Sequence, residues 1–109
     1  MNNKDLFREW YISQINPQTE KPYVETSVPS YIAAIQRLVA AGLVGPDIFD
    51  VDLEGFTLQI SRAQKEQPAE FATQEYHGNL KNGIKWWKRF LETSAEGFRP
   101  SHFRKGSER

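Results

Sequence analysis

Apolar residues return at helical spacing in four stretches of the chain, and the last of them carries the most information. In residues 79–92, NLKNGIKWWKRFLE, a rotation of about 100° per residue sets Leu80, Ile84, Trp87 and Leu91 in one narrow sector. Lys81, Lys85, Lys88 and Arg89 share the opposite flank, so one helix is expected to carry both a core face and a cationic face. Trp86 falls beyond Phe90 on the edge away from the lysines, where an aromatic ring is expected to be partly exposed. Asn79 is suited to cap the start of this helix, and Glu92, Thr93 and Ser94 make a polar exit. Gly83 is discordant, since glycine costs about 1 kcal/mol against alanine in a helix interior. Its presence points to a close contact with another helix.

Three earlier stretches have the same period. Residues 4–15 place Leu6, Phe7, Trp10, Tyr11 and Ile15 on a broad apolar side, with Asp5, Arg8 and Glu9 turned away. Residues 16–26, NPQTEKPYVET, lack a period and read as a surface connection. A second helix is expected to start with Ser27 as its cap and Pro29 in its first turn, where a missing N–H is harmless. Val28, Ile32, Ile35 and Val39 form its stripe, with Tyr31 and Leu38 on the flanks. Ala34 and Ala41 give an edge that a neighbour can approach, and Gly42 gives the stop. Ile48 and Phe49, in the turn LVGPDIFD, are expected to plug the core. Asp52 can cap a third helix reaching about residue 65, with Leu53, Phe56, Ile60 and Ala63 inward. Residues 66–78 hold only Phe71 and Tyr76 for burial and read as a second long loop.

No strand-like alternation and no repeat is evident, so the expected architecture is a compact all-α bundle of four or five helices. The long connections argue against plain up-and-down packing. Residues 1–95 form the helical domain on this reading, and residues 96–109 a basic tail or linker, with Phe98 and Phe103 as docking points. A length of 109 residues fits one domain with its own core. The absence of cysteine excludes disulfides, thiolate chemistry and Cys-ligated zinc. With no apolar run near the roughly 20 residues of a membrane span, and no signal-like start, a cytoplasmic chain is expected. The net charge of zero conceals a division: residues 79–109 hold eight Lys or Arg and three Glu, and residues 1–78 hold six and eleven acids, giving +5 and −5. Such polarity suits an anionic partner on one face.

Candidate chemistry is sparse. His77 stands in a loop and Ser101 and His102 in the tail, with no third group spaced to orient a base, so no catalytic residue is assigned and no enzyme is expected. Two histidines among scattered carboxylates lack metal-ligand spacing, and no phosphate-binding glycine loop is present. Neither a metal, a cofactor nor a small-molecule substrate is therefore expected. The basic flank is the better candidate. Lys81, Lys85, Lys88 and Arg89 span about 100° of one face, as a helix following a phosphate backbone requires, and Arg99, Arg104 and Lys105 can extend the track. A row of lysines on its own is more often just a solvated face. Trp86 can stack on a base or sugar, or else cover Phe71 as a rim residue.

The order FREWYISQ, SVPSYIAAIQRLVAAG, DIFDVDLEGFTLQI and NLKNGIKWWKRFLE resembles the SAM-like core-binding domain of tyrosine recombinases (phage integrases). It is also similar to helical modules at the front of some restriction endonucleases. In that family a capped second helix carries Ser-Tyr and small apolar residues, matched by Tyr31, Ala33, Ala34 and Leu38. The last helix pairs an Asn with an aromatic-rich end, matched by Asn79, Ile84, Trp87, Phe90 and Leu91. The resemblance covers residues 4–93. It departs in the longer acidic loop 66–78, in Gly83, and in lacking the recombinase domain that carries the Arg, Lys, His and Tyr of the reaction. What it implies is a fragment of a longer protein or a stand-alone relative that binds double-stranded DNA without cutting it, in DNA recombination or restriction. The alternative is a protein-interaction or self-association module that uses the acidic segment 47–75 and the exposed aromatics.

Overall fold

The computed structural model describes residues 3–74 and 76–95. Four α-helices run Asn3–Ser13 (α1), Ser27–Ala40 (α2), Leu53–Glu66 (α3) and Lys81–Ala95 (α4). Two short antiparallel strands, Ile15–Asn16 (β1) and Lys21–Pro22 (β2), lie between α1 and α2, with Ile15 opposite Pro22. The molecule is thus mostly helical and built around one core. Among the described residues no helix is long and apolar enough to cross a membrane.

The hairpin corrects the expectation of an entirely helical chain, and it escapes a periodicity search because each strand is only two residues long. Local polar bonds set it. Asn16 Oδ1 accepts the Gln18 N–H at 2.9 Å, Thr19 Oγ1 accepts the Lys21 N–H at 3.3 Å, and Glu20 adopts the left-handed region with φ 60°. Upstream, the Ser13 and Gln14 side chains both donate to the Trp10 carbonyl, at 2.6 and 3.1 Å, as α1 ends. Ile15 consequently leaves the apolar side assigned to it and is 57% exposed.

α2 begins without the expected cap: Ser27 is already helical, and no side chain at Thr26 bonds the free N–H groups. Its end follows the glycine rule. Gly42 has φ 75°, the Leu43 N–H reaches back to the Leu38 carbonyl at 2.9 Å, and the Gly42 N–H reaches Val39 at 3.0 Å, which together make a Schellman stop. Asp52 caps α3 as its sequence indicates, accepting the Gly55 N–H at 2.8 Å. The intervening turn is tied to α3 through Gln59, whose Oε1 accepts the Gly45 N–H at 2.7 Å. Val44, Ile48 and Phe49 are thereby held in the core.

The second long loop is more regular than expected. Pro68–Phe71 form a 3-10 turn that buries Phe71, and Tyr76–Leu80 form a wide turn running into α4, broken at Gly78 (φ −103°, ψ −111°). Asn79 lies exposed inside that turn and is not the start of α4. The side chain that serves nearby is Thr73, whose Oγ1 accepts the Tyr76 N–H at 3.1 Å.

α4 packs against α1, α2 and α3. Trp87 is fully buried where α4 meets α1 and the turn before α3, with the rings of Phe7, Phe49 and Phe90 at 4.9, 5.0 and 5.4 Å. The inner face of α2 differs from the expected stripe, since Val28, Ala34, Ile35 and Leu38 are buried while Ile32 and Val39 are half-buried. α4 approaches α2 at Tyr31. A Cβ built on Gly83 would stand 2.9 Å from the Tyr31 carbonyl oxygen and 3.2 Å from its Cα, so the two backbones touch where the sequence places a helix contact.

Replacing Gly83 by Ala sets a propensity gain of about 1 kcal/mol against overpacking of about 1–3 kcal/mol, and the obstacle is backbone, which no rotamer change relieves. Urea unfolding of Gly83→Ala is expected to show a net loss of up to about 2 kcal/mol. A gain in stability would mean that the two helices do not touch there.

Candidate nucleic-acid interface

α4 presents its inward residues first: Leu80 just before it, then Ile84, Trp87, Phe90 and Leu91, are all buried. With that face fixed, the helical period turns Lys81, Lys85 and Arg89 to exposed positions and leaves Lys88 half-buried on the same flank. Among the described residues no carboxylate lies within 4.0 Å of any of these four cations. The structure therefore gathers Lys81, Lys85, Lys88 and Arg89 on one rigid helix. Arg99, Arg104 and Lys105 lie outside the described residues, as do Phe98, Ser101, His102 and Phe103.

This arrangement works against the helix that carries it. Lys81 stands in the first turn, where the helix dipole disfavours a cation. Lys85 has like-charged neighbours at Lys81, Lys88 and Arg89, and each such pair at helical spacing costs about 0.2–0.5 kcal/mol. Glu92, the one acid in the described part of α4, stands one turn beyond Lys88 and Arg89 and offsets part of that cost, while Lys81 and Lys85 have no acid within a turn of them on the helix.

Trp86 corrects the expectation of a partly exposed ring. It is 7% exposed, with Trp10, Tyr11 and Tyr23 at 5.8, 5.1 and 4.9 Å, all edge-on, and it does not cover Phe71. Its accessible surface is too small for a base to stack upon. Tyr23 follows directly on the hairpin, so the connection between α1 and α2 brings a ring against Trp86 of α4 that helical periodicity does not contain. The remaining approach to the indole is taken by the cations themselves, with Arg89 Cζ 5.1 Å and Lys85 Nζ 5.6 Å from the ring centroid. Contacts of this kind contribute about 0.5–1 kcal/mol at exposed sites.

The aromatic cluster continues inward to Tyr11, which has Tyr23 at 5.1 Å and Tyr31 edge-on at 5.8 Å. Burial first, and then the neighbouring Tyr31 hydroxyl, push the Tyr11 phenol up to about 12 from its usual 10, with the Ser27 hydroxyl pulling the other way. His77, a candidate base on paper, is exposed and stacks edge-on with Tyr76 at 5.3 Å. Among the described residues no group of three or more His, Asp or Glu side chains converges on a point that could hold a metal ion.

Comparison with family models, with curated proteins and with solved structures finds no match to this chain.

The raised Tyr11 phenol fixes a pH dependence. Folding favours the protonated form, so its contribution is complete below pH 10 and is lost as pH rises through about 12. Ultraviolet titration is expected to show a late phenolate step that disappears in Tyr11→Phe. Urea stability of the native protein should fall between pH 10 and 12 more steeply than that of the variant. Equal slopes would contradict the burial of this hydroxyl.

Proposed function

We propose that the chain is a non-catalytic DNA-binding module that holds duplex DNA mainly through phosphate contacts from the basic flank of α4. The observation that carries the reading is the set of Lys81, Lys85, Lys88 and Arg89 on one flank of α4, without a carboxylate partner among the described residues and at a cost to that helix. A cluster that breaks a local stability rule, relieved only in part by the Trp86 ring and by no acid among the described residues, is characteristic of a binding site. The helix is anchored over its inner face, so its cations are presented without any ordering of the backbone. Contacts of this type fix position on the backbone and read little sequence.

The finer assignment, to a SAM-like core-binding domain of the tyrosine-recombinase kind or to a helical module of a restriction-type system, rests on the residue patterns around Tyr31 and Trp87. The buried positions of Ala34, Leu38, Ile84, Trp87, Phe90 and Leu91 are compatible with it. In that setting the module grips DNA while catalysis belongs to another domain or another protein. A second reading, docking of a protein partner, draws on the exposed Ile15 and Val24 beside the hairpin and on Leu58 of α3.

With four phosphate contacts, the logarithm of the binding constant should fall with the logarithm of salt concentration at a slope of about −3.6. The double reversal Lys85→Glu/Lys88→Glu is expected to weaken duplex binding at least tenfold and reduce that slope by about 2, with thermal stability little changed, because the relief of Lys85 from Lys81 and Arg89 is set against loss of its contact with the Trp86 ring and new repulsion between positions 85, 88 and 92. Fluorescence anisotropy over a salt series measures both. Undiminished affinity in a folded double variant would remove the basis for the reading.

A further inference from the structure

We infer that Trp86 is a positioning residue for duplex binding, whose ring draws the Lys85 and Arg89 head groups together into a preformed phosphate clamp. The inference rests on the DNA reading above and adds to it the residue through which two of the four cations act. Three observations lead to it. The first is that Arg89 Cζ and Lys85 Nζ lie 5.1 and 5.6 Å from one indole centroid, so two like charges share a single ring. Two cations four residues apart on a helix repel, and left to solvent they would splay. The negative face of an indole attracts both and opposes that separation.

The second observation is that the indole cannot move. Trp10, Tyr11 and Tyr23 surround it edge-on at 4.9–5.8 Å, and those three come from α1 and from the segment just after the hairpin. A ring held from two other elements is a fixed platform, whereas an exposed tryptophan would follow its cations. The third is the lack of any acid within ion-pair distance of Lys85 or Arg89 among the described residues, which leaves their outward N–H groups available to an anion. Long cationic side chains surrender much rotamer freedom on binding phosphate. A ring that restrains them beforehand lowers that loss. The indole therefore raises affinity without touching DNA.

Duplex affinity of Trp86→Phe and Trp86→Leu, each made in the native sequence and in a Lys85→Ala/Arg89→Ala background, tests this. A short labelled duplex of mixed sequence at low salt is the probe. In the native background affinity is expected to fall about threefold to fivefold, more for Leu than for Phe. In the doubly truncated background the same substitutions are expected to change nothing, because the groups through which Trp86 acts are gone. An equal loss in both backgrounds means a merely structural role and overturns the inference. So does no loss in either. If Trp86→Leu does not fold, Trp86→Phe keeps most of the packing and carries the test. Proton NMR of the free protein supplies a reading independent of DNA: Lys85 Hε and Arg89 Hδ should be shifted upfield by the ring current and return towards ordinary values in Trp86→Leu or, in part, in Trp86→Phe. Unshifted resonances in the native protein overturn the inference. A native protein that fails to bind the duplex overturns the DNA reading and the inference together, whereas binding that is indifferent to Trp86 overturns the inference alone.

Discussion

The fold depends on the seating of Trp87 between Phe7, Phe49 and Phe90, where α4 meets α1 and the turn before α3. Burying an indole of roughly 200 Å² at about 25 cal/mol per Å² contributes on the order of 5 kcal/mol before entropy. Its N–H has no hydrogen-bond partner among the described residues, which takes back about 1–3 kcal/mol. The apolar term still wins. Everything on the outer flank of α4 inherits its direction from this contact, since the helical period leaves the cations no choice once Trp87 points inward.

The same helix shows how a core and a surface can make opposing demands. Gly83 weakens α4 locally yet lets it lie against the Tyr31 backbone. Lys81 and Lys85 oppose the dipole and one another, while Lys85 and Arg89 find partial relief on the Trp86 ring. The packing residues make up these losses over many contacts, so the flank is free to be chosen for charge. A cationic face on a loosely held helix would repel itself into disorder more readily.

Much of this was legible in residue order. The four helices, the Asp52 cap and the Gly42 stop follow from local chemistry, because each depends on neighbours within a few positions, whereas the plug of Ile48 and Phe49 and the Gly83 contact are long-range contacts legible from residue type alone, apolar side chains in a turn and a glycine inside a helix. Where residue order misleads, the cause is a contact from a distant segment at Trp86 and local turn chemistry at Ile15 and Asn79. Trp86 looked exposed on a helical wheel since the wheel holds no hairpin, and Tyr23 arrives from more than sixty positions away to close over it. Ile15 looked buried because the wheel continued past the residues whose side chains, on Trp10, accompany the end of α1. Asn79 has the composition of a cap, but the chain reaches α4 through a wide turn that supplies its own bonds. The shared flank of the four cations is legible as helical geometry, for they lie within nine residues and need no tertiary information. The cation contacts that organise two of them are not, as they depend on where the indole is pinned.

Native-state amide hydrogen exchange gives the most direct measure of whether α4 is the element on which the others depend. The amides of Ile84, Trp87, Phe90 and Leu91 are expected to exchange only through global opening, with a free energy equal to that of urea unfolding and with the same denaturant dependence. Exchange of these four by a cheaper local opening, while amides of α1, α2 and α3 stay protected, would show that the bundle stands without α4 and would contradict the account.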